Sequence, residues 1–192
     1  LTTEAPWHLS SLTTSPGGGR NYFMGAETGT YTTDLCTAVT TPRIAVQAGA
    51  SMLSFNARYD IEHRWDGVVM QVSTDNGATW ADLPPDGGYP SSFGDTQGNG
   101  CNFPASQGAF NGVTTASSNA DPNNGTATAV YKPFTRNLSS FVGQTVKIRW
   151  IFSSDSGLEF QGFFLDDISV GGKPADTLFE DEFDPTTPAN CN

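Results

Sequence analysis

Several stretches of the chain alternate apolar and polar residues with a period of two. Residues 52–59 read Met-Leu-Ser-Phe-Asn-Ala-Arg-Tyr, which puts Leu53, Phe55, Ala57 and Tyr59 on one side. Neighbouring side chains of a strand point to opposite faces, so the pattern predicts a half-buried strand. Past Gly67, Val68, Met70 and Val72 repeat it, and these two segments are expected to pair as a hairpin. Residues 145–152 set Val146, Ile148, Trp150 and Phe152 toward a core and Lys147 and Arg149 toward water. Residues 163–170, Phe-Phe-Leu-Asp-Asp-Ile-Ser-Val, are the last expected strand. Shorter strands are expected around Tyr22-Phe23-Met24 and from Pro42 to Val46, with the glycines at 17–19 turning the chain before them. Short strands separated by turns predict an all-β, two-sheet antiparallel sandwich.

Composition agrees with strands rather than helices. Only 15% of the 192 residues are charged, too few for long helices with paired surface charges. The length suits one sandwich over residues 1–172, followed by an acidic tail or linker over 173–192 that contains Phe-Glu-Asp-Glu-Phe-Asp. Nine Lys and Arg against twenty Asp and Glu give a net charge of −11. Such a surface repels phosphate backbones and anionic membranes, which argues against nucleic acid as a partner. No apolar run is long enough for a membrane helix, so membrane insertion is not expected. A chain opening on Leu1 without signal-peptide features reads as a processed product or an excised fragment of a secreted, extracellular protein. Three cysteines imply one disulfide and one free thiol in an oxidising compartment. A Cys36–Cys101 bond would tether a long loop, with Cys191 the alternative partner.

That loop spans residues 84–124, rich in Gly, Pro, Ser and Asn and longer than an ordinary connection. Trp65, Tyr89, Phe93 and Phe103 lie in expected loops and are the candidate ligand-binding aromatics, the alternative being that they pack the loops onto the sandwich. Ser73-Thr74-Asp75-Asn76-Gly77-Ala78-Thr79-Trp80 matches the S-x-D-x-G-x-T-W pattern of the Asp-box. Its residue types suit a hairpin turn: Asp bonds amides across the turn, Gly permits a positive φ, and Trp covers the side.

In the last strand, Asp166 and Asp167 interrupt an apolar run. Strict alternation would send one of them toward the covered face, where a carboxylate needs a cation, an arginine such as Arg58, or several amide donors. Calcium, which takes oxygen ligands in flexible geometry, is the simplest cation to propose.

The order of motifs adds a resemblance. Leu53-Ser54-Phe55, Glu62 with Asp66-Gly67, the Asp-box, Gly143 to Trp150, Ser154-Asp155 and Gly162 to Ile168 together resemble the MAM-like jelly-roll module that accompanies secreted bacterial proteases of the immune-inhibitor-A and fungalysin types. Cys101-Asn102-Phe103-Pro104 through Gly112 resembles a loop of such modules. The resemblance spans roughly residues 7–170. It implies a jelly roll of concanavalin-A or galactose-binding type and an accessory role, and it carries a structural calcium site over to Asp166 and Asp167. A ligand from the early chain, with Asn21 the candidate, would complete that site, although residues 19–21 contain no Asp. Glu62 and Asp66 are a second source of metal ligands.

No catalytic residues are expected. The two histidines, His8 and His63, form no H-E-x-x-H, and no G-x-S-x-G, P-loop or G-x-G-x-x-G is present. The expected function is a non-catalytic accessory module that meets a polypeptide partner or a parent enzyme domain. The alternatives are a carbohydrate-binding module that meets extracellular glycan through loop aromatics and, behind it, a sandwich-fold glycoside hydrolase.

Overall fold

The computed structural model describes residues 1–94 and 98–174. Two antiparallel sheets pack together as a β-sandwich, with no α-helix among the described residues. The six-stranded sheet contains β1 (Thr2–Thr3), β4 (Cys36–Thr40), β5 (Ile44–Ala45), β7 (Gly67–Ser73), β8 (Ala81–Asp82) and β13 (Thr145–Ser153). The seven-stranded sheet contains β2 (His8–Ser10), β3 (Asn21–Met24), β6 (Met52–Ile61), β11 (Gly112–Val113), β12 (Lys132–Asn137), β14 (Gly162–Val170) and β15 (Lys173–Pro174). A small ribbon pairs β9 (Ser91–Ser92) with β10 (Gly108–Ala109). Strand order is β1-β4-β13-β7-β8, with β5 also on β13, and β11-β6-β14-β3-β2, with β12 also on β6 and β15 on β14. The paired chain thus runs to Pro174, and the tail from residue 175 lies outside the described residues.

The alternating positions meet between the sheets. Leu53, Phe55, Ala57 and Tyr59 face Val68, Met70 and Val72 and the inward side of β13, Val146, Ile148, Trp150 and Phe152, within one buried cluster. Trp150 packs edge-on against Phe55, ring centroids 5.3 Å apart. Removing a fully buried side chain of this size costs about 3–5 kcal/mol, so these few positions dominate the stability of the sandwich.

The expected β6–β7 hairpin does not form. β6 lies in the seven-stranded sheet and β7 pairs with β13 and β8 in the other. The connection, residues 62–66, exceeds the two-residue turn of a tight hairpin and carries the chain over the edge of the sandwich. Arg64 adopts φ +71° in this corner. Both strands still bury their apolar sides, from opposite layers, so a period-two pattern does not distinguish pairing from facing. Gly67 is the first residue of β7. A Cβ there would lie 2.9 Å from that of Ala109.

The alternation in β14 slips once. Phe163 and Leu165 face the core, and so do Ile168 and Val170. Between them the register with β6 shifts and Asp167 takes φ +52°. This bulge keeps both aspartates off the core, correcting the expectation that one of them points inward.

The long segment packs on the outer face of the six-stranded sheet. Phe93 and Ala109 cluster with Ala38, Val69 and Ile151, and Phe103 stacks on Phe93 at 5.6 Å. The Cys36–Cys101 disulfide ties it to β4, and Cys191 lies outside the described residues. Among those residues no helix is long and apolar enough to cross a membrane.

Candidate functional site

Three segments converge at the corner between β6 and β7. The crossover supplies Glu62 and Asp66, the chain leaving β13 supplies Asp155, and the segment before β4 supplies Tyr31. Carboxylate oxygens of Glu62, Asp66 and Asp155 all lie within 4.8 Å of one another. Asp66 is 1% exposed. Its Oδ2 accepts from the Tyr31 hydroxyl at 2.6 Å and its Oδ1 from the Asp155 N–H at 2.7 Å. The Tyr31 oxygen in turn accepts from the Glu62 N–H at 3.1 Å. Glu62 Oε2 accepts from the Leu158 N–H at 3.3 Å, and Asp155 Oδ1 from the Gly157 N–H at 2.6 Å. Asp155 also fixes the Tyr31 segment, its carbonyl accepting from the Asp34 N–H at 2.8 Å.

Three carboxylates this close repel one another when ionised, and among the described residues no basic side chain pairs with them. The one ion pair among the described residues joins His8 to Glu27. Burial pushes Asp66 up from 3.8 to about 7; the bonds from Tyr31 and Asp155 pull it down, and the charges of Asp155 and Glu62 add to the rise. Glu62 is raised as well, by burial first and then by Asp155. Burial, then the neighbouring Asp66, holds the Tyr31 phenol well above its ordinary range. A divalent cation fits this donor set. Oxygens bound to one calcium at about 2.3–2.6 Å are at most about 5 Å apart, and the three carboxylates offer oxygens within that range of one another.

Asp166 and Asp167 are treated differently. Asp166 accepts a hydrogen bond from the Ser15 hydroxyl. Asp167 Oδ2 accepts from the Gly17 N–H at 3.1 Å and from Asn56 Nδ2 at 2.7 Å. Both carboxylates pin the turn at residues 15–18, whose Gly17 has no room for a Cβ against Asp167. Arg58 is not their partner: it donates to Gln161 and the Ala129 carbonyl and lies over Phe164. Asn21 is fully buried, with Nδ2 donating to the Thr13 carbonyl at 2.6 Å and Oδ1 accepting from the Tyr131 hydroxyl at 2.7 Å. The early chain thus does reach the final strand, but it brings hydrogen-bond donors.

Three of the four loop aromatics are used in packing. Phe93 is buried under Phe103, and Tyr89 lies edge-on to Phe110 with its hydroxyl bonded to Met70 and Asp82. Trp65, 43% exposed, stands at the corner beside Asp66. The Asp-box forms the β7–β8 turn. Asp75 accepts from the Thr79 N–H and hydroxyl and from the Ser73 hydroxyl, which pull its carboxyl down to about 2. Gly77 has φ +98°.

Sequence reasoning paired Glu62 with Asp66 and left out Asp155 and Tyr31. Asp155 stands 89 residues from Asp66 in the chain, and the available signal was the Ser154-Asp155 step ending a strongly alternating strand. Tyr31 has no local pattern that marks it. Comparison of the chain with protein-family models and with curated proteins finds no match.

Proposed function

We propose that this chain is a non-catalytic extracellular accessory module of a secreted bacterial protein, held rigid by a structural calcium ion at Glu62, Asp66 and Asp155. One observation carries this reading: carboxylates from separate loop segments crowd together with no basic partner among the described residues. Calcium would supply positive charge there, and the residues around it do the rest. Asp66 anchors Tyr31 and the Asp155 backbone, Asp155 anchors Asp34, and Glu62 holds Leu158, so one ion would cross-link the connections at this corner of the sandwich. The Cys36–Cys101 disulfide suits the oxidising compartment such a module works in. A parent enzyme domain or other polypeptide is the partner this role calls for.

Thermal unfolding in calcium and in chelator tests it. An ion at one hundred times its dissociation constant stabilises by about 2.7 kcal/mol, raising the midpoint by roughly 5–10 °C in a domain of this size. The shift should vanish in Asp155→Asn. An unchanged midpoint in the wild type, or an unchanged shift in Asp155→Asn, would overturn the assignment.

A further inference from the structure

A second polar site lies away from the acidic corner, where the Asp-box turn meets the start of β13. A cleft of about 420 Å³ opens there, with Arg43 on one side, Lys147 on β13, and Thr74, Asn76 and Gln144 around them. In a chain of net charge −11 the two cations are conspicuous. Among the described residues the side chain of neither has a hydrogen bond, an ion pair or a ring contact. The neighbouring Arg149 differs: it is engaged by Gln71 and by the ring of Trp80. Asp75, the one carboxylate in the lining, is turned into its own hairpin by Ser73 and Thr79 and makes no ion pair with either cation.

The remaining lining describes the ligand. Asn76 and Thr74 make no internal side-chain hydrogen bond, and Val146 is the only apolar residue in the lining. The Ser73–Asp75–Thr79 network fixes the turn and holds Asn76 at φ +62°, so its amide is presented on a rigid element. Side-chain amides and hydroxyls match a polyhydroxylated molecule, and two cations from different segments match carboxylates carried on it.

We propose that this cleft binds an acidic saccharide, with Arg43 and Lys147 on its carboxylates and Asn76, Thr74 and Gln144 on its hydroxyls. The site is separate from the calcium corner and from the loop aromatics. Isothermal titration with tetragalacturonate at low ionic strength tests it, with EDTA present throughout so that the outcome does not depend on calcium. Measurable binding is expected, weakened at least tenfold by Arg43→Ala and by Lys147→Ala, unchanged by Lys132→Ala, and absent with a neutral tetrasaccharide. Both variants lie at the surface, and circular dichroism verifies their fold. No binding of tetragalacturonate, or binding indifferent to both substitutions, overturns the proposal. So does equal affinity for poly-L-glutamate, which would make the cleft a site for acidic peptide.

Discussion

β14 and the β6–β7 corner both concentrate carboxylates, and they handle the charge in opposite ways. On β14 the two aspartates are neighbours in sequence, yet a bulge turns both away from the core and toward donors: the Ser15 hydroxyl, the Gly17 N–H and the Asn56 amide. At the corner Asp155 comes from far along the chain to crowd against Glu62 and Asp66 of the crossover, and Asp66 is almost wholly buried. A carboxylate surrounded by donors is content as an anion, whereas one surrounded by carboxylates and removed from water favours a proton or a cation. Adjacency in sequence is therefore a poorer guide to a metal site than convergence of loops in space.

The sharpest separation between the two regions is pH dependence. Asp66 holds its proton to about pH 7 when folded but only to about 3.8 when unfolded. Between these values the folded state binds more protons, so in chelator stability falls as pH rises, by about 4 kcal/mol in all for this one group. Denaturant unfolding at pH 4 and pH 8 should show that slope in the wild type and lose it in Asp66→Asn; equal slopes would break the contrast. Calcium should flatten the wild-type slope.

Next in size is Asp66→Ala, which strips the acceptor from the buried Tyr31 hydroxyl and Asp155 N–H and should cost about 2–4 kcal/mol in urea unfolding even in chelator. Gly17→Ala would push a Cβ into the Asp167 carboxylate and should cost about 1–3 kcal/mol by releasing the turn, with the calcium response intact. The smallest effect is expected for Asp167→Asn, about 1 kcal/mol, since the amide keeps one acceptor for Asn56 or Gly17. A calcium response lost in Gly17→Ala or Asp167→Asn would move the site to β14.

Which residues face the core was legible in the chain itself. Leu53, Phe55, Ala57 and Tyr59, and Val146 through Phe152, declare a face because burial on one side of a strand imposes period two. Their partners were not legible, because the same period serves strands that pair and strands that face each other, as β6 and β7 do. β12 escaped notice since in Lys-Pro-Phe-Thr-Arg-Asn no alternation marks a face and Pro133 lacks an N–H, while its pairing with β6 rests on the remaining backbone bonds. The bulge at Asp167 was hidden for a related reason: a left-handed residue is unusual at a non-glycine position, and Asp gives no local warning of it beyond its tolerance. At the candidate site, Glu62 and Asp66 were visible four residues apart at a strand end, while Asp155 and Tyr31 reach them only through the long-range topology.

The central claim is that a cation rather than a proton completes the Glu62–Asp66–Asp155 corner under working conditions. Calorimetric titration with calcium at pH 7, in two buffers of different ionisation enthalpy, measures both the ion bound and the proton displaced. With Asp66 pushed up to about 7, one calcium per chain should bind and release about half a proton, and Asp66→Asn should abolish both. Absence of binding, or binding that releases no proton and survives Asp66→Asn, would contradict the account.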